Sequence, residues 1–145
     1  MLNILLLIVP LFIASCSIDP EPINFGKDQC EHCRMTIVDN KFGAEIITKK
    51  GKVYKFDATE CMINFVKQSK IKNEDVSIYV VVDATKQGQF TGAKQASYLI
   101  SPNFPSPMGA NLSAFGNKSD AESYQKNYQG EVKSWDEILT KLQTK

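Results

Sequence analysis

The chain has one histidine, His32, and a single Cys-x-x-Cys pair, Cys30 and Cys33. A structural zinc site needs four strong ligands at sensible spacing, and half of that set is missing here. Basic and acidic residues nearly balance, 17 against 16, which argues against a nucleic-acid binder with its basic stripe. The lysines are scattered, and the one short cluster, Lys49-Lys50-Gly51-Lys52, reads better as a turn between strands than as a phosphate site. No general base, activated nucleophile or cofactor fingerprint stands out, and the lone histidine has no evident acid–base partner. An apolar run long enough to span a membrane, about 20 residues, is also absent.

The longest apolar stretch is the opening "MLNILLLIVPLFIASC", broken by Pro10. Its length and composition are those of a secretory leader. It ends in Ile13-Ala14-Ser15-Cys16, which resembles a bacterial lipobox, a small-residue cleavage site directly before a cysteine. The reading is a lipoprotein signal peptide over residues 1–15, cleavage before Cys16, and lipid on that cysteine; the alternative is a plain signal peptide with an incidental cysteine. It places the protein in the cell envelope, anchored to a membrane facing the periplasm or the outside. Residues 16–29, with Pro20 and Pro22 and little periodicity, read as a lipidated tether, and 30–145 as the domain. Three cysteines then remain, Cys30, Cys33 and Cys61, an odd number in a compartment that favours disulfides.

Along the domain a pattern repeats. Ala44 to Thr48 and Val53 to Phe56 are short β-prone runs around a turn and predict a hairpin. Asp57-Ala58-Thr59-Glu60 gives a helix start, an N-cap acid with Glu three residues on, and Met62, Phe65 and Val66 share one face of the helix that follows. Residues 76–83, "VSIYVVVD", predict a central strand. Ser97 to Ile100 and Asn111 to Phe115 then read as strands. Ser119-Asp120-Ala121-Glu122 is a second capping box, with Ala121, Tyr124 and Tyr128 on one face of its helix, which Gly130 stops. Glu131 to Ser134 makes a short strand, and Ser134-Trp135-Asp136-Glu137 caps a last helix with Ile138, Leu139 and Leu142 inward. The order β-β-α-β occurs twice. The expected fold is α+β: two related ββαβ units packed together, about 30–86 and 87–145, with a C-terminal helix. The stretch between the paired elements, rich in Gly and Pro, reads as loop.

The candidate site is "CEHCRM", residues 30–35. Thiolate and thioether ligands together select Cu(I), whereas a thioether is of little use to zinc, calcium or magnesium. Met35 lies two residues beyond Cys33, so in an extended segment both would face one way; Cys30 joins them only if the backbone turns. Cys61 falls in the first turn of the helix started by Asp57, where the dipole favours a thiolate. Core packing is the other reading for Cys61 and for Met62. Met108, between Pro107 and Gly109, has no period to bury it and is either a surface loop methionine or a ligand. His32 is either solvent-facing or a further ligand. A thiol oxidoreductase would put Cys-x-x-Cys at a helix start after a strand, whereas here the pair precedes the first strand.

The segments "CEHCRM", "FGAEI", "YKFDATECM", "SPMG" and "KSDAESYQKNYQGEVKSWDEI" together resemble the NosL family, the accessory lipoproteins of nitrous-oxide reductase. The resemblance runs from Cys16 to about Leu142. It implies a lipid-anchored Cu(I) chaperone, not an enzyme, that supplies copper for the copper–sulfide centre of nitrous-oxide reductase in denitrification. Its implied partners are that reductase and an associated copper-site assembly transporter. It also implies a fold similar to part of the organomercurial lyase. By position it carries metal ligation to Cys30, Cys33, Met35 and Met108, with Cys61, His32 and Met62 as further candidates. The competing class is an exported thiol–disulfide oxidoreductase or an organomercurial-lyase-like enzyme working through the same thiols. Methionine discriminates, because neither enzyme needs Met35 or Met108.

Overall fold

The structure, a computed structural model, describes residues 18–143, so the leader and Cys16 lie outside the described residues. The first half comprises β1 (Ala44–Thr48), β2 (Val53–Phe56), α1 (Thr59–Lys67) and, after a 3-10 turn, β3 (Val76–Val82) and β4 (Phe90–Gly92). The second comprises β5 (Ser97–Ile100), β6 (Leu112–Phe115), α2 (Lys118–Tyr128) and β7 (Glu131–Lys133), and α3 (Trp135–Gln143) closes the chain.

The two halves share one topology. In the first sheet β1 lies between β2 and β3, with β4 added outside β3; in the second, β5 lies between β6 and β7. Every pairing is antiparallel. The flanking strands of each unit therefore run parallel to each other, and the helix crosses over the middle strand to join them. The predicted ββαβ repeat is present, and the first hairpin has the bounds read from the sequence. Strand β4 was not foreseen: Phe90–Gly92 lies in the stretch expected to be loop, and pairing with β3, not its own three-residue pattern, makes it a strand.

Two of the three expected helix caps are displaced. Helix α1 begins from Ala58, without a side-chain cap, and Asp57 is buried instead of capping. Only two residues separate the buried end of β2 from the helix, so the chain has no room to turn Asp57 outward. Helix α2 starts earlier than the capping box predicted. Asn117 accepts the Asp120 N–H at 2.9 Å and donates to its carboxylate at 2.8 Å. The third box is as expected: the Ser134 N–H donates to Glu137 at 2.7 Å.

Phe56, Met62, Tyr98, Leu112 and Ile138, drawn from both halves, form one continuous core. A smaller cluster gathers Leu99, Phe115 and Ala121 beneath Tyr124 and Tyr128, the aromatic face predicted for α2, with Phe104 from the β5–β6 loop against both tyrosines. No helix among the described residues is long and apolar enough to cross a membrane.

The segment read as a tether is fastened to the first sheet from Glu21 onward. The Glu21 N–H donates to Glu45 at 3.1 Å, and Ile23 is buried. The Lys55 ammonium bonds the Pro22 carbonyl and the Asp28 carboxylate, each at 2.9 Å. Glu45, opposite Lys55 in the hairpin, is fully buried, and its Oε1 has no hydrogen-bond partner.

Burial pushes the Glu45 carboxyl up to about 7 from its ordinary 4.5, against the pull of Lys55 and the Glu21 N–H. The folded state thus holds this proton more tightly than the unfolded state does, and ionisation destabilises the fold as pH rises through that interval. Glu45→Gln cannot titrate. In urea-unfolding series the variant should gain on the wild type by on the order of 2 kcal/mol between acid and mildly alkaline pH. A stability difference independent of pH would mean that Glu45 ionises normally in the folded protein.

Candidate metal centre

Residues 26–37 form an irregular hairpin rather than an extended strand. The Gly26 N–H donates to the Ile37 carbonyl at 2.8 Å, Ile37 returns a bond to Asp28 at 2.9 Å, and Gln29 and Thr36 form an isolated bridge. At the tip, the Cys30 N–H donates to the Met35 carbonyl at 2.8 Å and the Arg34 N–H to the Cys30 carbonyl at 2.9 Å. Arg34 takes the left-handed conformation, with φ 65°. This tight turn brings Cys30 and Cys33 to one side. It is held on β2 by the Glu31 N–H, which donates to the Lys55 carbonyl at 2.9 Å.

Helix α1 delivers the third sulfur. Its N-terminus follows β2 directly, and Cys61 lies in its first turn, aimed at the Cys30–Cys33 loop. The three Sγ atoms lie within 4.8 Å of one another. A metal–thiolate bond of roughly 2.3 Å places the sulfurs of a trigonal site about 4 Å apart, so the cluster needs only a small contraction to close on one ion. Cys30 and Cys61 are buried, Cys33 is half-buried, and all three are free thiols.

Their acidities are pulled apart. The Cys61 thiol donates toward Cys30, and backbone N–H groups of Cys33, Asp57 and His32 add to this. Against the cost of burial, these bring Cys30 down to about 5. Cys61 is pushed up because its proton bonds Cys30 and because it is buried. Burial also raises Cys33, although the Met35 N–H at its sulfur opposes this. The helix-dipole expectation for Cys61 therefore fails: the thiolate resides on Cys30, which collects more donors. Asp57 is raised to about 6, first by burial and then by the negative charge of Cys30 and Asp39. Near neutral pH the cluster holds one thiolate and two thiols, a place for a soft cation to displace protons.

The other predicted residues separate into three cases. Met108 and His32 line one cleft of about 490 Å³ together with Cys61, so the fold does bring the distant loop to the thiol region. Met108 projects from a turn closed by the Gly109 N–H on the Ser106 carbonyl at 3.1 Å, and is 39% exposed. Met35 is 54% exposed; the left-handed Arg34 between it and Cys33 removes the extended geometry that would have aligned the two side chains. Met62 is wholly buried in the core, consistent with its packing reading. Two neighbours escaped the sequence reading. Asp57 and Glu60, read there as cap residues, are both buried beside the cluster; Glu60 had only its adjacency to Cys61 as a signal, and Asp57 had none.

A family model described as NosL matches residues 22–143. No curated protein matches the chain. Among solved structures the fold is similar to the crystal structure of the copper chaperone NosL from Shewanella denitrificans. The TM-score is 0.71 and the identity 23%, over 83% of this chain and 96% of that one. With a family match across most of its length and the two-unit α+β architecture of that structure, the chain belongs to the NosL family.

Proposed function

We propose that the protein is a carrier of Cu(I), tethered by lipid at Cys16 in the cell envelope. On this reading it delivers copper for the copper–sulfide centre of nitrous-oxide reductase, with an associated assembly transporter as a second partner. The observation that carries the copper reading is the convergence of Cys30, Cys33 and Cys61 within 4.8 Å. Three soft donors suit Cu(I), and a trigonal site leaves the ion open to an incoming ligand from a recipient. The solved relative is named a copper chaperone, which supports the same cargo.

The thiols share the work unequally. Cys30 supplies a ready thiolate at the floor, Cys61 closes the site from the helix, and Cys33, the one partly exposed thiol, is the position at which exchange begins. Met108 borders the cleft on the Cys61 side as a further, weaker soft donor to the bound ion, with His32 beside it, and Met35 sits outside on the turn, where a departing ion meets it. A lowered thiol pKa would also suit a nucleophile, as in the oxidoreductase or lyase reading. A nucleophile must be reached by its substrate, however, and Cys30 is 0% exposed. The carrier reading needs only that a small ion pass the half-buried Cys33, not that a substrate reach Cys30 itself.

Two outcomes test this. Binding through all three sulfurs must release the protons of Cys33 and Cys61, whose pKa values are raised, whereas Cys30 is already ionised above about pH 5. Cu(I) affinity should therefore fall as pH drops from about 8 to 6, by roughly two decades per pH unit. Cys33→Ser should weaken binding and reduce that slope by about one, and Met35→Leu should leave the slope unchanged. Competition titrations against a chromogenic Cu(I) chelator at several pH values measure both; equal slopes in wild type and Cys33→Ser would remove Cys33 from the ligand set. For the anchor, Cys16→Ser should abolish lipid incorporation and release of the leader, leaving the domain able to bind Cu(I). A mature, lipid-free wild-type protein in its native host would overturn the tether.

A further inference from the structure

Glu60 is a costly residue in an unexpected place. A glutamate is rarely buried without a partner of opposite charge. Glu60 is only 3% exposed, makes no ion pair among the described residues, and does not cap its helix, since Ala58 occupies that position. Its Oε1 accepts the hydroxyl of Ser106, and its Oε2 is buried without a partner. The Ser106 oxygen in turn accepts the Leu112 N–H at 3.2 Å, and the Ser106 carbonyl accepts the Gly109 N–H at 3.1 Å. Ala110, on the far side of Met108, presents its N–H to the same carboxylate. The segment is further closed by the Ser101 N–H on the Asn111 carbonyl at 2.9 Å. Both shoulders of the Met108 turn thus rest on one side chain, and that side chain is the neighbour of Cys61 on α1.

We infer that Glu60 is a positioning residue for the copper site: through Ser106 it fixes the Met108 turn against the helix that carries Cys61, so that the thioether and the thiols act on one ion. The inference rests on the copper reading above and extends it to a residue that touches no metal. Met108 stands at the corner of an exposed turn between Pro107 and Gly109, and the local sequence offers nothing else to hold its side chain over the cleft. A buried hydroxyl–carboxylate bond across 46 residues of chain does so, and it ties the second half of the protein to the helix of the first. Residues that orient metal ligands typically change affinity by 10- to 100-fold when removed.

A double-mutant cycle isolates this role. Cu(I) affinity, read by competition against the chelator at fixed pH, is compared for wild type, Ser106→Ala, Met108→Leu and the double variant, with urea midpoints as a fold control. Ser106→Ala and Met108→Leu should each weaken binding by about tenfold. The double variant should be no more than about twofold weaker than Met108→Leu, because the hydroxyl matters only through the thioether. Losses that multiply would show that Ser106 acts on the thiols or on the fold, and a silent Ser106→Ala beside a weakened Met108→Leu would show that the turn needs no support; either overturns the inference. A silent Met108→Leu removes Met108 from the site and the inference with it, while the copper reading still stands or falls on Cys33→Ser. Glu60→Gln provides the second variant, since it keeps an acceptor for the Ser106 hydroxyl. Its affinity should stay within about threefold of wild type, and a loss as large as that of Ser106→Ala would overturn a role through geometry.

Discussion

The site depends on the fastening of residues 21–37 to the first hairpin, and Lys55 is the centre of that fastening. Its ammonium holds Pro22 and Asp28, each at 2.9 Å, with Glu21 at 3.7 Å, while its own carbonyl receives the Glu31 N–H. A side chain and a main-chain group of one residue thus grip the incoming arm and the tip of the hairpin that carries Cys30 and Cys33. The ammonium is largely withdrawn from solvent, where such contacts exceed the modest value of a surface pair. Without that grip, two cysteines on a short irregular loop would have no defined distance to the third, which is set by the rigid β2–α1 junction.

Bringing three thiols together also creates an electrostatic problem, which the structure solves by unequal ionisation. Three thiolates at this spacing would repel strongly in a half-dry environment. One charge is tolerated because Cys30 gathers the Cys61 proton and several main-chain N–H groups, and its two neighbours are held neutral. The buried carboxyls on either side of α1's start, Asp57 and Glu60, are both shifted upward, so the neighbourhood resists further negative charge. A monovalent soft cation that displaced both remaining protons would take the cluster from one negative charge to two, so its covalent bonds to sulfur would have to offset that cost.

Much of this was legible in the sequence, and the failures have physical causes. Local patterns found the β1–β2 hairpin, the Ser134 cap and the inward faces of α2 and α3, because alternation and capping are encoded within a few residues. Strand β4 was missed because three residues carry no period and become a strand only by pairing with β3. The cap at Asp57 was misread because a capping box and a buried turn share the same letters, and only tertiary packing separates them. For the site, the residue types in "CEHCRM" pointed to soft-metal chemistry, and both the grouping of Cys61 with Cys30 and Cys33 and the approach of Met108 follow from topology. The alignment of Met35 with Cys33 did not survive the left-handed Arg34, a conformation that an arginine gives no reason to expect. The place of Glu60 was invisible, because its partner lies 46 residues away.

The docking of Glu21 onto Glu45 would limit how far a domain anchored at Cys16 could stray from its membrane. With Cys16 lipidated as proposed, four residues lie between the anchor and the first point of attachment to the sheet, a leash of no more than about 18 Å even at full stretch. The domain would then patrol a thin layer above the lipid instead of the open compartment. Confinement of that kind raises the effective concentration toward any recipient embedded in the same bilayer. It also makes the orientation of the cysteine cleft relative to the surface a determinant of which recipients can be served, so lengthening the leash would trade encounter frequency for reach.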